Sequence, residues 1–267
     1  MNITSMAKAA LLRNFSGLAD TKGYTRSPQE NLLPGINLAT VEDDLRRGDG
    51  DELRMKFTAV HSSSALAVNC FAPFKVEPNR LVLSGTQGAA KLEFECKLKI
   101  FHGGRSPNLD VWIQRGHDVV AVESKLLEYL RPKKPEFSRA YDRLAPPKSD
   151  SHWWRVYEEA KKGTEQHLDR AQLVKHYFGL NNFREKNPEG PEQTLLYIFW
   201  EPLNWLDVKE CRQHRDEVKT FAEAVSPSQI KFRWMTYNDL WEEWSAVPDL
   251  GGHAHSLKAR YEVRLQP

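Results

Sequence analysis

From Lys91 to Phe101 apolar and polar residues alternate: Leu92, Phe94, Cys96, Leu98 and Ile100 against Glu93, Glu95, Lys97 and Lys99. Period two over ten residues predicts a strand with one buried face, and Glu95 falls on its outward side. Two shorter apolar runs follow, over 109–114 and 119–124, around Arg115-Gly-His-Asp118. β-Branched and aromatic residues bracketing a Gly/Asp cluster predict a hairpin, and with it three consecutive antiparallel strands. Residues 194–200, Thr-Leu-Leu-Tyr-Ile-Phe-Trp, are nearly all apolar and fit a strand buried on both faces. A helix over 208–225, a strand over 230–236 and a helix over 238–244 come next. Strands joined by a helix of this length predict a parallel crossover.

The helical segments are marked by caps and stripes. Thr40, followed by Glu42, Asp43 and Asp44, starts a helix that is interrupted at 48–52 and resumes over 53–57. Ser62-Ser-Ser caps a helix to Phe71. Residues 167–180 form another, with Gly179 near its stop. Residues 131–152 form a loop-rich connection in which Arg139, Tyr141 and Arg143 suit contact with a nucleic-acid backbone or, equally, a solvated loop. The tail, 253–265, is read as a last strand. Residues 1–38, with a short helix over 6–15 and then Gly17, Gly23, Pro28, Pro34 and Gly35, read as a partly ordered arm. One α/β domain over 39–267 accounts for the rest: an antiparallel hairpin start, then parallel strands, in a mixed sheet flanked by helices.

Composition narrows the class only a little. With 267 residues, 40% of them hydrophobic and 28% charged, the chain can build one sizeable core. A net charge of +2 excludes global basicity, so any phosphate site must be a local patch. Cys70, Cys96 and Cys211 lack metal-ligand spacing and read as reduced thiols of a cytoplasmic protein. No apolar run reaches the length of a membrane span and none resembles an export signal. The eight tryptophans invite a base-stacking role, but Trp200, Trp234 and Trp241 occupy core-like positions and read as packing.

The chemistry concentrates in the hairpin. A turn centred on Gly116-His117 places Asp110 directly opposite Glu123, and Lys125 joins them on the same face two residues on. Two opposed carboxylates destabilise a hairpin unless a cation lies between them. Mg²⁺ takes one or two carboxylates, keeps several waters and completes its shell with phosphate oxygens. A lysine alongside stabilises a charged transition state or assists the nucleophile. The plainer reading is a cross-strand salt bridge on a solvated sheet edge.

Pro107-Asn-Leu-Asp110, then Glu123-Ser-Lys125, resembles the motif of the PD-(D/E)XK nuclease superfamily, with Asn108 where the motif name has its first Asp. The arrangement from about residue 45 to 244 resembles uncharacterised bacterial members of that superfamily. The resemblance implies a restriction-endonuclease-like fold and a Mg²⁺-dependent nuclease, with Mn²⁺ able to substitute. It implies Asp110 and Glu123 as metal ligands, with the Ser124 carbonyl beside them, and Lys125 assisting hydrolysis of a phosphodiester. It also implies a helical acid ahead of the first strand, for which Glu52 is the candidate. Gln172, four residues before His176 and five before Tyr177, resembles the Gln-x-x-x-Tyr motif of the RecB-like branch but departs from its spacing. Gln172 would orient a nucleotide or water, and His176 reads as a surface histidine. Glu95 and Glu128 remain open as further acids. The expected partner is DNA, with RNA not separated from it and a homodimer among the open assembly states. A catalytically silent nucleic-acid-binding scaffold with the same fold is the alternative.

Overall fold

A computed structural model describes residues 2–48, 56–101, 106–147 and 150–266. Helices α1 (Ile3–Asn14), α2 (Glu42–Arg47), α3 (Ser63–Phe71) and α4 (Pro73–Val76) come first. A two-stranded hairpin follows, β1 (Val82–Leu83) and β2 (Thr86–Gln87). The main sheet is built from β3 (Lys91–Lys97), β4 (Asn108–Arg115), β5 (Asp118–Lys125), β6 (Glu192–Phe199) and β7 (Ile230–Thr236), in that spatial order. Between β5 and β6 lie α5 (Ser151–Lys161) and α6 (Arg170–Lys186). Helix α7 (Lys209–Ala224) joins β6 to β7, and α8 (Tyr237–Ser245) and α9 (Gly251–Tyr261) complete the chain.

The sheet is mixed as the hydrophobic pattern requires. Strands β3, β4 and β5 are antiparallel, whereas β6 and β7 run parallel to β5 and to each other. The hairpin register pairs Val111 with Val122 and Arg115 with Asp118, leaving Gly116-His117 as a two-residue turn. Gly116 has φ +47°, the left-handed conformation such a tight turn needs and glycine supplies without strain. One sheet face carries Asp110, Trp112, Glu123 and Tyr197. Helices α6 and α7 cover it: Phe183 packs edge-on against Trp112, and His214 hydrogen-bonds Tyr197 at 2.9 Å. On the other face the Tyr237 hydroxyl of α8 lies 2.7 Å from Ser124 Oγ.

Several expectations are corrected. The lead-in is no loose arm: α1 buries Ala7, Ala10 and Leu11, spaced i, i+3, i+4, and packs on α9. Asn14 Nδ2 donates to the carbonyls of Ala259 and Glu262, both at 3.0 Å. The tail forms α9 instead of a strand, because Ala254, Leu257 and Tyr261 recur at helical spacing and are fully buried. Gly179 does not stop α6. It sits inside the helix where a Cβ would come within 2.9 Å of Leu98 Cβ, so it permits close approach of the helix to the segment that follows β3. Helix α5, whose Trp153 stacks on Tyr177 at 4.5 Å, replaces the end of the expected loop. Tyr141 is only 6% exposed, in ring contact with Phe101 and Phe137, so it is not available to a nucleic acid. The three cysteines are free, and among the described residues no helix is long and apolar enough to cross a membrane.

Candidate active site

Three carboxylates stand on three neighbouring strands. Continuing the β3–β4 register sets Glu95 opposite Asp110, and the β4–β5 register sets Asp110 opposite Glu123. Glu95 itself has φ +50° and steps out of the strand conformation. A non-glycine residue in that region is strained by roughly 1–3 kcal/mol and needs its surroundings to hold it there. Those surroundings are visible. Asp44 of α2 is buried, accepts the Phe94 backbone N–H at 2.9 Å and is ion-paired to Lys75 and Arg47. The end of α2 therefore abuts β3, and Gly48 lies against the Glu95 carboxylate, where a Cβ would be 3.1 Å from Oε2.

Glu95 is thus buried instead of facing outward, against the alternation that predicted it. Asn108 Nδ2 donates to Glu95 Oε2 at 3.0 Å. Asn108 thus binds and orients an acid from the adjacent strand. Asp110 Oδ2 accepts the Ser124 backbone N–H at 2.6 Å. Burial, then the neighbouring Glu123 charge, raises the Asp110 pKa well above the usual carboxylate range.

Glu123 is 1% exposed and held from two sides. Oε1 is ion-paired with Lys125 Nζ, and Oε2 lies 2.7 Å from His176 Nε2. Burial would raise its pKa, but Lys125 and His176 outweigh that and hold it at about 2. Burial likewise opposes the Lys125 charge, yet Glu123, Glu128 and Asp110 keep its pKa well above the ordinary lysine value. Lys125 Nζ also reaches Gln172 Oε1 at 3.4 Å. Spacing of four therefore brings Gln172 and His176 from one face of α6 onto the same pair of hairpin residues.

His176, read from sequence as a surface residue, is fully buried against the sheet. Only the packing of α6 reveals this; its spacing from Gln172 was the available signal. Ser124 is 1% exposed, its N–H on Asp110 and its hydroxyl on Tyr237. Glu128 is exposed, and its carboxylate accepts the N–H groups of Leu126 and Leu127 at 2.8 and 2.9 Å. Glu52 lies outside the described residues.

The site opens into a cleft of about 810 Å³ lined by Glu95, Asp110, Lys125 and Gln172. Lys8 and Tyr24, from the segment expected to be an arm, line it too, with Lys56, His61 and Arg131. None of these residues carries a sequence motif, and Lys8 is held at the cleft by the packing of α1 onto α9.

Antiparallel start, parallel continuation and a carboxylate–lysine cluster at the hairpin end define a restriction-endonuclease-like α/β protein. The chain belongs to the family described as restriction endonuclease associating with ARP, whose model matches residues 7–262. No curated protein and no solved structure matches it.

Proposed function

We propose that the protein is a metal-dependent nuclease of the PD-(D/E)XK type that hydrolyses phosphodiester bonds in DNA. The observation that carries this is the row Glu95–Asp110–Glu123 across three strands, with Glu95, Asp110 and Lys125 lining one cleft and Glu123 buried behind them on Lys125. Family membership supports the nuclease reading and, with it, DNA as substrate.

The donor set fits a hard divalent cation. It is all carboxylate oxygen, and Asp110 carries the electrostatic cost that a bound cation would remove. Among the described residues no three His, Cys, Asp or Glu side chains are gathered closely enough to hold a metal by themselves. A cation here would thus complete its shell with water and substrate phosphate, the habit of Mg²⁺, and Mn²⁺ would substitute. Asp110 and Glu123 would hold it, with the Ser124 carbonyl adjacent and Glu95 as a third acid within the cleft. The bound ion supplies Lewis-acid polarisation of the phosphate and a more acidic water.

The remaining work falls to the chain's own groups. The Ser124 N–H fixes the Asp110 carboxylate and His176 fixes that of Glu123, so both keep one orientation. Lys125, gripped by Glu123 and Gln172, places a fixed positive charge where the scissile phosphate gains negative charge. Gln172 positions Lys125.

The test is incubation of circular and linear DNA with purified protein in Mg²⁺, Mn²⁺ or chelator. Cleavage in either metal and none in chelator is expected. Equal background cleavage in all three, unchanged in Asp110→Asn, would leave a scaffold with the nuclease fold.

A further inference from the structure

Among the described residues Tyr24 is the one aromatic side chain classed as exposed, at 41%. Trp153, Trp200, Trp241 and Trp244 are fully buried and the other four tryptophans are at most partly exposed. Tyr24 lies in the cleft that holds Asp110 and Lys125.

Its setting is rigid. The backbone N–H of Tyr24 donates to Asp20 Oδ1 at 2.9 Å, and its carbonyl accepts from the Asp20 N–H at 2.9 Å. On either side Val60 N–H donates to Gly23 and Thr25 N–H to Thr58, at 2.8 and 2.9 Å. The ring rests edge-on against His61, centroids 6.2 Å apart at 75°. An aromatic fixed in this way loses little freedom when a ligand stacks on it. Lys8, Lys56 and Arg131 line the same cleft, all exposed and none ion-paired among the described residues.

These features select a form of nucleic acid. Phosphates need only the cations. A base within a duplex has both faces covered by its neighbours, so a side-chain ring reaches it only once it has left the stack. An aromatic platform flanked by cations is the combination that holds an unpaired strand. We propose that the cleft takes unpaired DNA, with one base stacked on Tyr24 and the flanking phosphates on Lys8, Lys56 and Arg131. The substrate class is then single-stranded or locally opened DNA in place of continuous duplex. The cutting step rests on the nuclease reading above; the binding preference does not.

Fluorescence anisotropy of one labelled oligonucleotide, single-stranded, as blunt duplex and as RNA, separates the two. It is run in Ca²⁺, with strand integrity checked on gels, and in parallel with cleavage in Mg²⁺. The single DNA strand should bind at least about tenfold tighter than the duplex. Tyr24→Ala should weaken single-strand binding by about tenfold, given the energy of one base–aromatic stack, and leave duplex binding unchanged. Tyr24→Phe should stay within about twofold, and circular dichroism should show both variants folded. Lys8→Gln, which leaves the turn around Tyr24 untouched, should weaken both forms equally. Duplex bound as tightly as single strand, RNA bound tighter than DNA, or a Tyr24→Ala protein with unchanged single-strand affinity would overturn the proposal. Tyr24-dependent binding without cleavage in any metal would uphold it and reject the nuclease; metal-dependent cleavage of the single strand by Tyr24→Ala with wild-type rate and affinity would do the reverse.

Discussion

His176 and Glu123 lie 53 positions apart in the chain and meet through a 2.7 Å hydrogen bond in which each side chain is 1% exposed. The contact fixes one carboxylate oxygen while Lys125 takes the other.

Removing the imidazole leaves a buried carboxylate with one partner fewer, at a cost of about 2 kcal/mol. His176→Ala should therefore unfold at lower urea and lose kcat more than it gains KM, since Glu123 is displaced without loss of the substrate contacts. His176→Gln, which can still donate, should recover part of both. Unchanged stability and kcat in His176→Ala would deny it any positioning role.

Asp110→Asn and Lys125→Ala should divide binding from chemistry. The first should weaken Mg²⁺ binding and abolish cleavage. The second should still bind Mg²⁺, measured calorimetrically, yet cleave about a hundredfold or more slowly. The stability of the first carries a pH signature. Asp110 has a raised folded pKa, so its favourable contribution is complete below its unfolded value of 3.8 and is lost as pH rises through the folded pKa. Without metal, Asp110→Asn should thus gain on wild type as pH rises from 4 towards 8, and added Mg²⁺ should shrink the gap. A gap independent of pH and metal would contradict the charge crowding described.

Glu95 couples backbone strain to the site. Glu95→Gly relieves a φ of +50° and one of three neighbouring negative charges, and should be no less stable than wild type in urea. Glu95→Gln keeps the strain and the Asn108 contact while deleting the charge. Cleavage at sub-saturating Mg²⁺ should fall about tenfold in both, with partial recovery at high Mg²⁺. Wild-type Mg²⁺ dependence in both variants would remove Glu95 from the site.

His61 gives a pH dependence at the cleft rim. Burial, then the Lys8 charge, lowers its pKa to about 4 from 6.5. Its contribution to stability is therefore whole above pH 6.5 and is lost as pH falls towards 4, because the unfolded chain takes up the proton first. Allowing for solvent screening of a partly exposed ring, the loss is about 1–2 kcal/mol. His61→Asn should flatten the stability profile over that window. A parallel profile for the variant would show that His61 titrates alike in both states.

What the sequence disclosed and what it hid follow from range. The hairpin register depended on a two-residue turn and on β-branched alternation, both local, so Asp110, Glu123 and Lys125 could be set on one face from residues 106–125 alone. The buried run of β6 and the capped start of α3 were local as well. The burial of His176 is not local, because it depends on α6 meeting the sheet, a contact between segments far apart. Glu95 departs from the pattern because alternation assumes extended backbone, whereas this residue has φ +50° beside Gly48 and the Asp44–Phe94 contact. In α9 the helical spacing of Ala254, Leu257 and Tyr261 is local and stands in the sequence itself. Tyr24 and Lys8 could not be placed at the cleft until α1 had a docking partner.

That partner lies near the opposite end of the sequence. Helix α1 rests on α9, and Asn14 is bonded to carbonyls at 259 and 262. On the ribosome the bank of the cleft that bears Lys8 lacks its α9 support until residues 251–262 have emerged, although the hairpin with its carboxylates is complete more than a hundred residues earlier. Assembly is thus ordered in time: the acids can gather early, but the surface that would grip a strand is finished only after residues 251–262 have been made.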